Sequence, residues 1–286
     1  MADTDLAVDR LGSEDVGAAH DLSTRAGWST ARSDWRRMVA LDAVDAFAGR
    51  IDDGDRPVAT ATLVRYGSRV GWIGMMLVHP DHRRRGYGAR MLEACLDAAE
   101  DAGVGTVGLD ANTDGKPLYD ANGFVEIAEV TQWHGSLDGP DRTDGVPTVA
   151  EVADADPFAA LDRRASGVDR RFLLESLLEE AGTVGLLRRE GGGVTGYALV
   201  LRRPPGATVG PLVAEDPETA EALLRAAGER TDGPLTVNAV GNPRAEARYR
   251  ELGFEHRRSL ARMTYRERAE PLMGELVWGI PAFEYG

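Results

Sequence analysis

Val78-His79-Pro80-Asp81-His82-Arg83-Arg84-Arg85-Gly86-Tyr87-Gly88-Ala89-Arg90-Met91-Leu92 reads in succession as the end of an apolar strand, a basic glycine loop and the start of a helix. Two glycines at the mouth of a helix let several backbone N–H groups converge on one anion. The helix N-terminus adds the positive end of its dipole, and the arginines neutralise further charge. The stretch therefore predicts a pyrophosphate cradle. A glycine turn after a strand also opens dinucleotide sites, and Asp110, 22 residues beyond Gly88, stands near where a ribose-binding acid would fall. That alternative fails on detail: its third glycine would be Met91, and it does not require three arginines ahead of Gly86.

A second stretch, Asp110-Ala111-Asn112-Thr113-Asp114-Gly115-Lys116-Pro117-Leu118-Tyr119-Asp120-Ala121-Asn122-Gly123-Phe124, follows a strand-like run from Val104 to Leu109. Arg83-x-x-Gly86-x-Gly88 resembles the coenzyme A signature of the GNAT superfamily of N-acetyltransferases. The second stretch resembles the other half of that signature, with Asn112, Gly115, Leu118, Tyr119, Gly123 and Phe124 in the family's places.

The resemblance implies a strand ending at Val78 that splays from the one ending at Asp110, so that a pantetheine arm bonds the opened backbone like a missing strand. It implies cofactor contacts from Met76, Leu77, Val78, Arg83, Arg84, Arg85, Gly86, Tyr87, Gly88, Ala89, Asn112 and Tyr119. It places a backbone N–H near Leu77 against the thioester carbonyl and makes Tyr119 the acid for the departing thiolate, since a phenol of pKa ~10 keeps its proton at neutral pH. Many relatives carry a Glu base on the strand before the loop, but Gly71 to Val78 contains no acid. Asp110 is the first candidate in its stead and His79 the second, with a water chain lacking any single base as the alternative. Trp28 and Trp72 are candidate walls of the acceptor pocket, against the simpler reading of both as core.

The chain then repeats itself. Asn242, Tyr249 and Gly253-Phe254 answer Asn112, Tyr119 and Gly123-Phe124 at a constant offset of 130, as two copies of one fold in tandem would. The second copy is six residues shorter between Gly210 and Asn242 than the first between Gly74 and Asn112, and the missing piece is the basic loop. Ala214-Glu215-Asp216-Pro217-Glu218-Thr219-Ala220 runs straight into a helix there; carboxylates cap a helix end and repel a pyrophosphate. The expected architecture is an α/β fold with mixed, partly parallel sheets, built as two tandem GNAT-like acyl-CoA N-acyltransferase domains. Residues 1–137 form the catalytic domain, 138–147 a turn-rich linker, and 148–286 a degenerate domain that shapes the acceptor site. Tyr249 is a packing or substrate-facing remnant. The apolar tail from Glu275 to Gly286 is expected to dock, at the interface between the copies, rather than stand free.

Composition restricts the surroundings. The 286 residues carry a formal net charge of −14, which argues against nucleic acid as a partner. Lys116 is the single lysine, and Asp outnumbers Glu 26 to 21, a balance like that of proteins from salt-rich cells. Cys95 is alone, so no disulfide framework is possible, and it sits among apolar neighbours at helical spacing as a packing thiol. No apolar run is long enough to cross a membrane and no signal-peptide pattern begins the chain, so a cytoplasmic location is expected. The expected activity is transfer of an acetyl group from acetyl-CoA, without a metal, to a small-molecule or peptide amine by a monomer or homodimer. A non-catalytic acyl-CoA-responsive binding protein is the alternative from another class.

Overall fold

The computed structural model describes residues 6–51, 54, 56–137, 149–266, 269 and 271–286. The expected linker 138–147 lies outside the described residues. The chain folds into two compact units.

The first unit comprises Met1–Val125 together with Met263–Ala269 and Tyr285. Its elements are β1 (Ala7–Arg10), α1 (Val16–Arg25), α2 (Arg32–Ala40), β2 (Val44–Arg50), β3 (Ala59–Tyr66), β4 (Val70–Val78), α3 (Tyr87–Asp101), β5 (Thr106–Ala111) and α4 (Lys116–Ala121). The sheet runs β1-β2-β3-β4-β5, antiparallel as far as β4 and parallel between β4 and β5. β3 is buried at nearly every position, as a central strand covered on both faces must be. α3 lays Met91, Leu92, Cys95 and Ala99 on the sheet at helical spacing. Ser13–Asp15 forms a single tight turn ahead of α1, and Ser13 does not cap it. The Gly12 N–H at the head of that turn donates to Asp15 Oδ2 at 3.0 Å, while Asp15 Oδ1 is held by Arg50 at 2.6 Å.

The second unit comprises Glu126–Arg262, Glu270–Glu284 and Gly286. It holds most of β6 (Phe124–Gly135), then β7 (Val149–Val152), α5 (Ala159–Ser166), α6 (Arg171–Leu178), β8 (Val184–Glu190), β9 (Gly193–Arg203), β10 (Gly206–Ala214), α7 (Pro217–Gly228), β11 (Leu235–Val240), α8 (Pro243–Glu251), most of β12 (Glu255–Tyr265) and β13 (Val277–Gly279). The units thus do not divide at residue 137. β6 leaves the first unit after Val125 because it pairs antiparallel with β11 from Val130↔Val240 to Gly135↔Leu235. Met263–Tyr265, at the end of β12, belong in turn to the first unit. There Tyr265 packs on Phe124 at 5.3 Å between ring centroids, and the Arg266 N–H donates to the Gly123 carbonyl.

Candidate active site

β4 and β5 pair only from Val70↔Thr106 to Ile73↔Leu109. Beyond that point they separate, as the opened strands required. The cause is visible on β4. Met75 adopts a left-handed φ of 48°, the β3–β4 register slips between Thr60 and Thr62, and the Thr60 hydroxyl donates to the Met75 carbonyl at 2.8 Å. A bulge of this kind bends its strand and re-aims the residues beyond it.

The direction of each N–H past the bulge is set by pairing. The His79 N–H donates to Val58 O at 2.8 Å, toward β3, and Leu77 lies opposite Thr60 on the same ladder. Alternation in an antiparallel pair turns Leu77 to β3 as well, and turns Met76 and Val78 to the splayed side. Of the residues near Leu77, where a backbone donor was expected, Met76 is thus the one whose N–H turns to the splayed side. Val78, nearer the loop, presents its carbonyl on that side and accepts from Arg83 Nε at 3.2 Å.

The loop itself is built to gather donors. Pro80–His82 make one tight turn, capped by His79, whose Nδ1 accepts from the Asp81 N–H at 3.3 Å. The chain then passes through two left-handed residues, Arg84 (φ 61°) and Gly86 (φ 83°), before α3 starts. Among the described residues no protein acceptor takes the N–H groups of Arg84, Arg85, Gly86, Gly88 or Ala89, while the Arg90 N–H donates to Gly86 O at 3.1 Å. Arg83, Arg84 and Arg85 are exposed around them. Gly88 lies close to α4: a Cβ there would stand 3.1 Å from Leu118 Cδ2. An open groove of about 1260 Å³ runs from this loop along α3, with Arg85, Arg90, Asn122, Tyr265 and Arg266 in its walls.

Across the splay, Asn112 Oδ1 accepts from the Gly115 N–H at 2.7 Å and so shapes the turn into α4. That turn brings in Tyr119, which is 7% exposed, edge-on to Phe124 with centroids 5.8 Å apart. Burial, and secondarily the Cys95 thiol, push the Tyr119 phenol well above its ordinary pKa of 10.0. No described residue hydrogen-bonds its hydroxyl. Asp110 stands half-buried one residue past the last β4–β5 pair. His79 Nδ1 is engaged in its own turn. Trp72 is fully buried, and its ring packs so closely over Gly108 that a Cβ there would lie 2.5 Å from it; it belongs to the core and not to a pocket wall. Trp28 is half-buried in the loop after α1, anchored through its N–H to Ser23 O at 3.0 Å.

The second unit lacks the donor array. Asp216 caps α7 with its own side chain, accepting from the Thr219 N–H at 2.6 Å and from the Thr219 hydroxyl at 3.1 Å. Tyr249 is fully buried and donates to Trp278 O at 2.6 Å, a packing role. The described residues contain no group of three or more His, Cys, Asp or Glu placed to hold a metal ion. No described helix is long and apolar enough to cross a membrane.

Family models match both halves of the chain: the Acetyltransferase (GNAT) family over residues 18–124 and the Acetyltransferase (GNAT) domain over residues 158–279. The chain belongs to the GNAT acetyltransferases and carries two of their domains in tandem, and members of this family are acyltransferases that draw on an acyl-CoA. A holothin acyltransferase of Pseudoalteromonas sp. (strain SANK 73390) is 28% identical over 201 residues, 69% of this chain and 65% of the relative, so the chain spans just under two thirds of it. A putative acetyltransferase from Pyrococcus horikoshii has the same fold at a TM-score of 0.84 and 22% identity, covering 98% of this chain and 96% of that one. A tandem GNAT protein from the clavulanic acid biosynthesis pathway superimposes at 0.66 with 17% identity, over 93% and 100% of the two chains.

Proposed function

We propose that the first domain binds acetyl-CoA and transfers the acetyl group to a primary amine by direct attack within a ternary complex. The observation that carries this reading is the array of unmatched amides at residues 84–86, 88 and 89, ringed by three arginines, at the mouth of the β4–β5 splay. Five N–H donors without a protein acceptor and a helix N-terminus suit a pyrophosphate, and the groove beside α3 has room for a nucleoside. A pantetheine arm entering from the loop would meet Val78 first and the thioester would meet Met76, about 7 Å deeper at ~3.3 Å per residue. The Met76 N–H then stabilises the charge that develops on the carbonyl oxygen as the C–N bond forms and the C–S bond breaks.

Tyr119 supplies a proton to the leaving thiolate. Its raised pKa keeps the phenol protonated at neutral pH, so that it donates a hydrogen bond to the sulfur and shares its proton as negative charge develops there. Asp110, on the opposite arm of the splay, receives or relays the proton lost by the amine. The half-buried Trp28 and its loop face the acceptor. The test is release of free thiol from acetyl-CoA against a panel of amines that includes holothin, the acceptor for which one relative is named. Amine-dependent turnover is expected. Tight binding of coenzyme A with no turnover on any amine would reassign the protein to acyl-CoA sensing.

A further inference from the structure

The second unit opens a cleft of its own, and the chain fills it. β10 and β11 pair in parallel only at Ala207↔Leu235 and Thr208↔Thr236, after which β13 lies between them. On one side β13 pairs antiparallel with β10 through Leu212↔Gly279 and Val213↔Val277, and the Ala214 N–H donates to Leu276 O at 3.0 Å. On the other, the Ile280 N–H donates to Asn238 O of β11 at 2.9 Å. Counted from Gly210, the counterpart of Gly74, Leu212 and Ala214 answer Met76 and Val78. The positions that remain open on β4 are thus occupied on β10.

The two residues shared with the first copy's signature hold the tail as well. Asn242 caps α8 through Oδ1, accepting from the Ala245 N–H at 3.1 Å, and donates from Nδ2 to Val277 O at 2.9 Å. Tyr249 donates to Trp278 O at 2.6 Å, and Trp278 Nε1 to Ala214 O at 3.0 Å. The fit leaves no slack, since a Cβ on Gly210 would fall 2.1 Å from Ile280 O and one on Gly279 would fall 2.9 Å from Val237 Cγ1.

We propose that residues 276–280 are a built-in peptide ligand that replaces the pantetheine arm in the second domain, so that this domain binds an extended strand and never an acyl-CoA. The proposal rests on the reading that the corresponding cleft of the first domain takes acyl-CoA. Strand addition satisfies the same backbone donors and acceptors that an amide-bearing arm would. The residues kept from the ancestral cleft, Asn242 and Tyr249, serve this ligand, which explains why they outlasted the lost loop.

Calorimetric titration of the full-length protein with coenzyme A, paired with hydrogen–deuterium exchange of the tail, tests this. One coenzyme A per chain is expected, with slow exchange at residues 277–280 that saturating coenzyme A leaves unchanged. Two per chain, or exchange in the tail that accelerates when coenzyme A is added, overturns the proposal. Absence of any coenzyme A binding would instead sink the function proposed for the first domain while leaving a protected tail. Tyr249→Phe removes a single clamp and strands the buried Trp278 carbonyl, and should speed tail exchange at least about fivefold, the lower bound for a lost buried hydrogen bond, at unchanged coenzyme A affinity. Tail exchange as slow as in the parent would count against the clamp.

Discussion

Tyr119 and Tyr249 occupy the same place in the two copies, and removing one oxygen from each should have opposite consequences. Tyr249 is fully buried and its hydroxyl donates to Trp278 O at 2.6 Å. Tyr249→Phe loses that bond and strands a buried carbonyl, at a cost of about 1–3 kcal/mol. Tyr119 is nearly as buried, but no described residue bonds its hydroxyl, so Tyr119→Phe breaks no hydrogen bond among the described residues. Stability should then change by no more than about 0.5 kcal/mol. Activity should divide the other way. Loss of a positioned general acid slows turnover by roughly 10²–10⁴, equivalent to about 3–5 kcal/mol of barrier, while coenzyme A affinity holds. Tyr249→Phe should leave turnover per folded molecule where it was. Denaturant melts and steady-state thiol release on both variants provide the comparison. Wild-type turnover by Tyr119→Phe would remove the phenol from the chemistry. Equal destabilisation by the two substitutions would mean that the asymmetry of their hydrogen bonding has been misread.

Gly86→Ala places a Cβ at φ 83° with no atom within 4 Å, so its cost of about 1–2 kcal/mol is backbone strain; calorimetry should show coenzyme A affinity falling on the order of tenfold as the amides lose their alignment. Asp216→Ala removes the α7 cap, and should lower stability by about 1 kcal/mol in denaturant melts without touching coenzyme A affinity. Burial raises the pKa of Cys95 above its ordinary 9.0 and of Tyr119, Tyr197 and Tyr249 above their ordinary 10.0. The unfolded chain therefore gives up these protons first, the folded one binds more, and stability intact below pH 9 should fall as pH rises. Each group adds about 1.4 kcal/mol per pH unit once its ordinary value is passed, and Tyr249→Phe should make the decline measurably shallower.

The cradle was legible because its demands are local. A helix entered at positive φ calls for Gly86, and that demand leaves its mark at a single position. The helix face of Met91, Leu92, Cys95 and Ala99 is marked by its period, and the acidic entry to α7 by its residue types. What the chain concealed depends on partners distant in sequence. Met75 in a left-handed conformation has no local sign, and with it the parity that turns Met76 rather than Leu77 to the open side went unread. β6 has the apolar pattern of a strand, but such a pattern says that it pairs and not with which neighbour, so its departure to β11 moved the boundary from 137 to Val125. Trp72 could be read equally as wall or core, and only the flat contact with Gly108 decides for core. The tail was expected to dock, yet its apolar residues carried no indication that they would enter a cleft within the second domain.

The two halves amount to one fold facing one difficulty, resolved twice. A pair of parallel strands that separates leaves backbone N–H and C=O groups inside a protein without partners, and each such group costs about 1–3 kcal/mol if it is both buried and unmet. Water, a ligand or another strand must meet them. In the first domain Met76 and Val78 lie at intermediate exposure, where solvent, or on the function proposed above an amide-bearing arm, can meet them. In the second, Leu212 and Ala214 are buried and matched by the chain's own residues, which are covalently attached and so present at a concentration no free cofactor reaches. Once a permanent strand fills the cleft, selection for a phosphate loop at its mouth has nothing to act on, whereas a tighter helix cap such as Asp216 still stabilises the fold. The loss of the basic loop and the gain of the docked tail are on this argument one event seen at two places in the chain.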